Sequence, residues 1–143
     1  MLLLCLAAAH SSAAGPQRNS VAFFQRWSAA FDKPALRVIA EAAQWAKSHP
    51  DAQANVTGAA DLMGRKQANS LLSELRAQVV ADQLIADGAD SHRIKQTGLG
   101  SVDYALGSQE SRRVVISFPP SCSRPPLPRT DGIGSCVSAS ARN

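Results

Sequence analysis

The chain has 143 residues, 45% of them hydrophobic, and a formal net charge of +4 at neutral pH. Its length suits one domain with flanking segments, and it lacks the basic stripe with interleaved aromatic residues that is typical of nucleic-acid-binding surfaces, so nucleic acid is not an expected partner. Its three cysteines, Cys5, Cys122 and Cys136, have neither CxxC spacing nor a neighbouring histidine pair, so no metal or other cofactor is expected. Cys122 and Cys136 can either form a disulfide in an oxidising compartment or remain as two thiols.

Residues 1–14 are an apolar segment with the sequence MLLLCLAAAHSSAA. The run from Leu2 to Ala9 has the length of the hydrophobic region of a signal peptide and is too short to span a bilayer. Small residues precede Gly15, as signal peptidase requires, although the positively charged start of a signal peptide is missing. We expect a secretory signal peptide here, the alternative being an apolar leader that stays in a cytosolic protein. Lipidation of Cys5 is not expected.

The first strand and helix are predicted between Val21 and Pro50. The β-branched and aromatic run that starts at Val21 predicts a strand that ends near Gln25. After a loop, Asp32 is a good N-cap and Pro34 fits the first helical turn. The helix should end before Pro50, because the residue ahead of a proline is disfavoured in the α region. Its predicted apolar face consists of Leu36, Ile39, Ala43 and Ala46, flanked by Trp45.

A second strand and a long helix follow. Residues Ala54 to Ala60 are interpreted as a strand, and Lys66 to Ala86 contain no glycine or proline and predict a helix. Gly88 stands where a helix commonly ends with a left-handed glycine. The apolar residues expected to cover the sheet are Leu72, Leu75, Val79, Val80, Leu84 and Ile85.

Two more strands complete the predicted fold. A short strand is expected around Arg93–Ile94, broken by Gly98-Leu99-Gly100, and a last one within Ser111–Phe118. The order β-α-β-α-β-β predicts an α+β (α/β-like) domain, with one mixed β-sheet and two helices on one face. Five prolines lie between Pro119 and Pro128, so residues 119–143 are predicted to form a disordered tail.

A carboxylate and a guanidinium are predicted to converge at one edge of this sheet. Asp61 follows the second strand directly, and Arg76 lies well inside the next helix. The return from Lys66 to Arg76 covers about 15 Å at 1.5 Å per residue, enough to bring the guanidinium back level with the strand end. Such a pair can grip the free end of an amino acid, which carries both an ammonium and a carboxylate.

The region from Ser20 to Phe118 resembles the C-terminal, peptidoglycan-binding domain of OmpA-like proteins. The resemblance lies in the ordered set Gly58-x-x-Asp61-x-x-Gly64, Asn69, Leu72-Ser73-x-x-Arg76-Ala77, Val80, Leu84, Gly88, Ile94, Gly98-x-Gly100 and Arg112-Arg113-Val114. It implies a domain over residues 20–118 that binds peptidoglycan non-covalently, through the diaminopimelate of the stem peptide.

In that family, the residues at the positions of Asp61 and Arg76 hold the amino acid end of the diaminopimelate side chain. Asn69, Gly64 and Arg112 are expected in a second shell or at the rim. The resemblance further implies a protein of the periplasm, cell wall or outer membrane of a Gram-negative type envelope, with peptidoglycan and outer-membrane or envelope-complex proteins as partners.

The sequence departs from the family where Ala59 and Ala60 replace a polar pair before the aspartate. An alternative function is therefore a periplasmic protein-interaction scaffold with a degenerate pocket. Taken alone, Asp61 could simply cap turn amides, and Arg76 could be a solvated charge on a helix. An enzyme is not expected, because no nucleophile and base stand in a recognisable arrangement.

Overall fold

A computed structural model of the protein describes residues 17–102 and 108–120. The predicted leader, residues 121–143 of the predicted tail and all three cysteines lie outside the described residues. The elements in chain order are β1 (Arg18–Phe23), α1 (Lys33–Ser48), β2 (Ala54–Ala60), α2 (Lys66–Ala86), a 3₁₀ helix (Ser91–Arg93), β3 (Ile94–Ser101), α3 (Ser108–Ser111) and β4 (Arg113–Phe118).

The four strands form one mixed sheet in the order β1-β4-β2-β3. β4 is antiparallel to β1 and to β2, whereas β2 and β3 are parallel. Residues of both long helices join a single hydrophobic cluster with Val56 of β2 and Val114 and Ile116 of β4, so α1 and α2 cover the same face. The predicted fold class is confirmed, with two short helical segments added to it. In the described part of the chain, no helix combines the length and apolar character needed to cross a bilayer.

The ends of α1 follow from its capping residues, as predicted. Asp32 accepts a hydrogen bond from the amide of Ala35 at 2.8 Å, Pro34 lies in the first turn, and the helix ends at Ser48. The predicted apolar face was wrong at Leu36, which is 40% exposed. The side chains that α1 buries are Ala35, Ile39, Ala42 and Ala43.

The bounds of α2 were predicted correctly, and its buried face was predicted in part. Val80 and Leu84 are buried as expected, whereas Leu75 and Ile85, which were also expected to cover the sheet, are exposed. Near the start of the helix several buried positions are polar, where α2 passes very close to β2 and β3. The buried residues of α2 are Asn69, Ser73, Arg76, Ala77, Val80, Ala81 and Leu84.

Two strand predictions need correction. β1 starts at Arg18, earlier than predicted, whereas β4, which follows a short helix, lies within its predicted range. β3 continues through Gly98-Leu99-Gly100 to Ser101 instead of breaking there, because its hydrogen-bonded pairing with β2 extends to Ser101. Gly98 is needed in this strand for space, since a Cβ there would lie 2.6 Å from the main-chain nitrogen of Glu74 on α2.

Candidate functional site

The C-terminal ends of β1 and β2 and the start of β4 meet at one edge of the sheet. The register pairs Phe23 with Arg113 and Gly58 with Val114, so the residues just beyond these pairs are neighbours. Asp61 follows β2 there, and Arg112 precedes β4. The predicted convergence of charged side chains is therefore found at this edge, which we call the Asp61 edge.

The two carboxylate oxygens of Asp61 have different surroundings. The side chain is only 8% exposed, and its Oδ1 accepts a hydrogen bond from the amide of Met63 at 3.2 Å. Oδ2 is buried and has no hydrogen-bond partner among the described residues. The hydrogen bond within the turn therefore accounts for Oδ1 of Asp61, and Oδ2 remains able to accept a hydrogen bond from a ligand.

Two arginines lie near this free oxygen. The Nη1 atom of Arg112 is 3.6 Å and the Nε atom of Arg26 is 4.0 Å from Asp61 Oδ2. Both distances are too long for a good hydrogen bond between charged groups. Arg112 was predicted in a second shell or at the rim, and its guanidinium lies directly beside the carboxylate of Asp61. Arg26 was not predicted to lie near Asp61.

Arg76 is fully buried, so the reading of this residue as a solvated helix charge is wrong. Its Nε, Nη1 and Nη2 atoms donate hydrogen bonds of 2.9, 2.9 and 3.0 Å to the carbonyl oxygens of Ser28, Ala59 and Gln25, respectively. The ring of Phe24 lies 5.4 Å from the guanidinium carbon. Arg76 thus ties the loop after β1 to the end of β2.

The charge of Arg76 depends on three opposing influences. The pKa of Arg76 is lowered to about 10, chiefly because burial disfavours the charged guanidinium; the nearby Asp61 raises it and Arg112 lowers it. Because the folded pKa lies below the unfolded one, burying the charged guanidinium costs free energy at all pH values below about 10, and only more alkaline solutions relieve that cost. At neutral pH Arg76 remains a cation and contributes its charge to the Asp61 edge.

Asn69 supports the end of β2 from within the fold. Its side chain is fully buried, and Nδ2 donates to the main-chain oxygen of Asp61 and to Oγ of Ser101, both at 2.9 Å. Its Oδ1 is buried without a hydrogen-bond partner in the described part of the protein. Ser101 was not predicted at this edge, because the third strand was expected to end at Gly98-Leu99-Gly100.

An apolar rim of three exposed side chains surrounds the Asp61 edge. Trp27 is 55% exposed and has a φ angle of +57°, which is uncommon for a non-glycine residue. A Cβ at Gly64, whose own φ is +104°, would overlap the indole of Trp27, so Gly64 is required both by its backbone and by this contact. Leu62 and Met63 complete the apolar rim and are similarly exposed.

Arg26 and Trp27 could have been located from the sequence. They follow β1, and a strand–helix–strand connection favours parallel strands, so β1 and β2 are expected to end at the same edge of the sheet. No group of three or more His, Cys, Asp and Glu residues able to hold a metal occurs within residues 17–102 and 108–120. The Asp61 edge instead offers one free carboxylate oxygen surrounded by guanidinium groups.

Comparison with known proteins places this architecture in a family. Residues 23–113 match the model of the OmpA family. The chain is 37% identical over 109 residues to "Probable lipoprotein YiaD" of Escherichia coli, covering 71% of this chain and 49% of that protein. It is 38% identical over 76 residues to "Peptidoglycan-binding protein ArfA" of Mycobacterium tuberculosis, covering 49% of this chain and 23% of that one. The chain thus spans about half or less of the length of these relatives.

Solved structures share the fold. The OmpA-like domain of FopA1 from Francisella tularensis matches with a TM-score of 0.66 and 25% identity, covering 73% of each chain. The peptidoglycan-associated lipoprotein from Burkholderia pseudomallei gives a TM-score of 0.66 at 24% identity, over 69% of this chain and 89% of that one.

Proposed function

This chain belongs to the OmpA family, and we propose that it binds peptidoglycan non-covalently through the diaminopimelate of the stem peptide, as a tethering module of the cell envelope. The observation that carries this proposal is the buried Oδ2 of Asp61, which has no hydrogen-bond partner in the described structure and faces guanidinium groups. A ligand ammonium can donate to this oxygen, and a ligand carboxylate can bind to the arginines. The free end of diaminopimelate carries both groups.

The charge of the Asp61 edge suits a ligand rich in carboxylates. One carboxylate, Asp61, is accompanied by the guanidinium groups of Arg26, Arg76 and Arg112. A purely cationic ligand would add to this excess of positive charge, whereas the zwitterionic end of an amino acid leaves the net charge unchanged and places a carboxylate next to the arginines. Because the site is partly buried, each opposite charge also lessens the cost of desolvating its partner.

Asp61 and Arg76 form the proposed charged core, and they act from different positions. Oδ2 of Asp61 has no hydrogen-bond partner among the described residues, so it can accept a hydrogen bond from an ammonium that reaches its buried position. Arg76 has no exposed surface, so a direct contact with the ligand requires the loop from Gln25 to Ser28 to move. In its present position Arg76 supplies positive charge and holds this loop, which carries Trp27, beside the site.

Cellular location and partners follow from the same proposal. The relatives include a protein named a lipoprotein, one named peptidoglycan-binding, and outer membrane protein A of Klebsiella aerogenes. We therefore place this chain in the periplasm, associated with the cell wall or outer membrane of a Gram-negative type envelope. Peptidoglycan is its proposed ligand, proteins of the envelope are its further partners, and no catalysis is proposed.

Retention on purified, diaminopimelate-containing sacculi tests this function. Asp61→Asn keeps the shape of the side chain but removes the charge that binds the ammonium, so we expect the affinity for sacculi to fall about tenfold or more. Asp82→Ala, an exposed change on α2, is the matched control and should bind like the wild type. Full retention of the double variant Asp61→Ala/Arg76→Ala, with its fold verified by circular dichroism, would remove both residues from the proposed site.

The apolar rim favours a second candidate function, a periplasmic protein-interaction scaffold. Trp27, Leu62 and Met63 present exposed apolar surface around the Asp61 edge, and Ala59 and Ala60 replace the polar pair of the family. Titration with a diaminopimelate-containing tripeptide distinguishes the two candidates. Changes in the NMR signals of backbone amides near Asp61 support peptidoglycan binding, and an NMR spectrum that stays unchanged at a high peptide concentration supports the scaffold.

A further inference from the structure

Arg112 is held rigidly at the Asp61 edge. Its main-chain oxygen accepts a hydrogen bond from the amide of Phe24 at 2.8 Å, and its own amide donates to Gln109 at 3.0 Å. In the side chain, Nε donates to the main-chain oxygen of Phe24 at 3.2 Å. These contacts fix both the backbone and the near end of the guanidinium, and only 14% of the side chain is exposed.

The far end of this guanidinium is not satisfied by the protein. Nη1 of Arg112 is buried and has no hydrogen-bond partner among the described residues, and the same holds for Oδ2 of Asp61, 3.6 Å away. Two buried atoms of opposite charge thus face each other without a hydrogen bond between them. Leaving charged groups buried and unsatisfied is costly, so the pair is suited to a ligand that supplies a donor to one atom and an acceptor to the other.

Arg76 and Arg112 differ in what they can still bind. All three nitrogens of Arg76 already donate to main-chain carbonyls, and the residue has no exposed surface. Arg112 has a vacant donor and lines a polar pocket of about 160 Å³, together with Phe24, Gln25, Asp32 and Gln109. A space of this volume admits several non-hydrogen atoms.

Building on the proposed function, we propose that Arg112 is the residue that directly contacts the ligand's carboxylate, and that it makes the site select diaminopimelate with a free side-chain carboxyl group over the same residue with a carboxamide. A guanidinium only donates hydrogen bonds. A carboxylate offers it charged acceptors on both oxygens, whereas a carboxamide has lost the charge and presents an NH₂ donor in place of one acceptor. Arg76, in this account, positions the loop and adds charge.

The experiment compares two synthetic tripeptides, alanyl-γ-glutamyl-diaminopimelate with a free acid or a carboxamide at the side-chain end, by titration of the full chain. For the wild type we expect the free acid to bind about 10- to 100-fold more tightly, the range expected for a hydrogen bond to a charged group. Arg112→Gln should weaken the free acid by about the same factor and bring the ratio of the two affinities close to one.

Two further variants separate recognition from folding. Arg112→Lys keeps a positive charge and should retain part of the preference for the free acid. Arg113→Gln removes one positive charge at the adjacent residue, whose side chain lies 3.6 Å from Glu110, and should leave the ratio unchanged. A general loss of structure would weaken both peptides equally and would not alter the ratio.

Failure of this inference is distinguishable from failure of the proposed function. If the wild type binds both tripeptides equally well, or if Arg112→Gln keeps the preference of the wild type, Arg112 does not contact the carboxylate, although the protein still binds peptidoglycan. If the wild type binds neither the tripeptides nor the sacculi, the proposed function is wrong and the inference is overturned with it.

Discussion

The guanidinium of Arg76 has no exposed surface and yet stays charged at neutral pH, because its pKa remains at about 10. Three main-chain carbonyl groups accept its hydrogen bonds. Two of these carbonyls belong to the loop after β1, at Gln25 and Ser28, and the third belongs to Ala59 at the end of β2. One side chain therefore joins segments that are separated by more than thirty residues of sequence. Its removal would leave several carbonyl oxygens at the Asp61 edge without a donor.

The stability of the fold should depend strongly on Arg76. We expect Arg76→Gln to lower the free energy of unfolding by about 3 kcal/mol, because the shorter amide cannot reach all three carbonyls and leaves buried acceptors unsatisfied. Urea denaturation measures this loss. Arg37→Gln, an exposed arginine on α1, is the control and should change stability by less than about 0.5 kcal/mol. Equal stability of the two variants would show that the three hydrogen bonds of Arg76 contribute little.

The positions of Asp61 and Arg76 could be predicted from the sequence, but their contacts could not. The strand end, the turn and the helix register together bring both residues to one edge of the sheet. Two of the three partners of Arg76 lie in a loop about fifty residues away, and the nearness of Arg112 to Asp61 depends on β4 lying between β1 and β2. Such contacts depend on the tertiary arrangement and leave no local sequence pattern.

At the scale of the elements, glycines in β2 and β3 determine how closely α2 packs against the sheet. A Cβ at Gly58 of β2 would overlap the main-chain oxygen of Ser73, and one at Gly98 of β3 would lie 2.8 Å from Cα of Glu74. The helix therefore crosses both strands almost at backbone contact. This closeness buries Asn69 and Arg76, and it lets Oγ of Ser73 accept a hydrogen bond from the amide of Gly100 at 2.8 Å.

A methyl group at Gly58 should push α2 away from the sheet and disturb the Asp61 edge. We expect Gly58→Ala to reduce the free energy of unfolding by about 2 to 3 kcal/mol, the cost of overpacking against a rigid backbone. Gly100→Ala is the comparison: its nearest contact would be an ordinary 3.8 Å, and its φ of +73° alone costs about 1 kcal/mol. Denaturant unfolding ranks the two variants, and a smaller loss for Gly58→Ala than for Gly100→Ala would contradict this account.

Local chemistry determined which elements could be predicted well. The ends of α1 and α2 were predicted correctly because Asp32, Pro34, Pro50 and Gly88 act through their own backbone geometry. The burial of Leu75 and Ile85 and the length of β3 were predicted incorrectly. Near the start of α2, where the helix closely approaches Gly98, several of the buried positions are polar. A glycine within a strand can thus mark a crossing helix instead of a strand end.

At the scale of the whole molecule, the proposed site and the points where the described chain enters and leaves the sheet lie at opposite edges. The Asp61 edge lies where β1 and β2 end. At the opposite edge, Arg18 pairs with Phe118, so the described chain both enters and leaves the sheet there. Segments attached at either side of the domain therefore start far from the proposed ligand site. This arrangement suits a tether, because one edge can bind the wall while the other is connected to something else.

This polarity predicts that the protein tolerates changes at one edge and not at the other. A short Gly-Ser insertion after Leu62, in the exposed turn that follows Asp61, should displace Met63, whose amide holds Oδ1 of Asp61, and weaken sacculus binding by about tenfold or more. The same insertion after Pro50, in the exposed turn before β2, lies at the opposite edge and should leave binding within about twofold, since no group there contributes to the proposed site.

Pull-down on sacculi measures both variants, with thermal unfolding showing that each is folded. If the insertion after Pro50 abolished binding and that after Leu62 did not, the ligand would bind at the edge where the chain enters and leaves the sheet, and the assignment of the Asp61 edge would have to be abandoned.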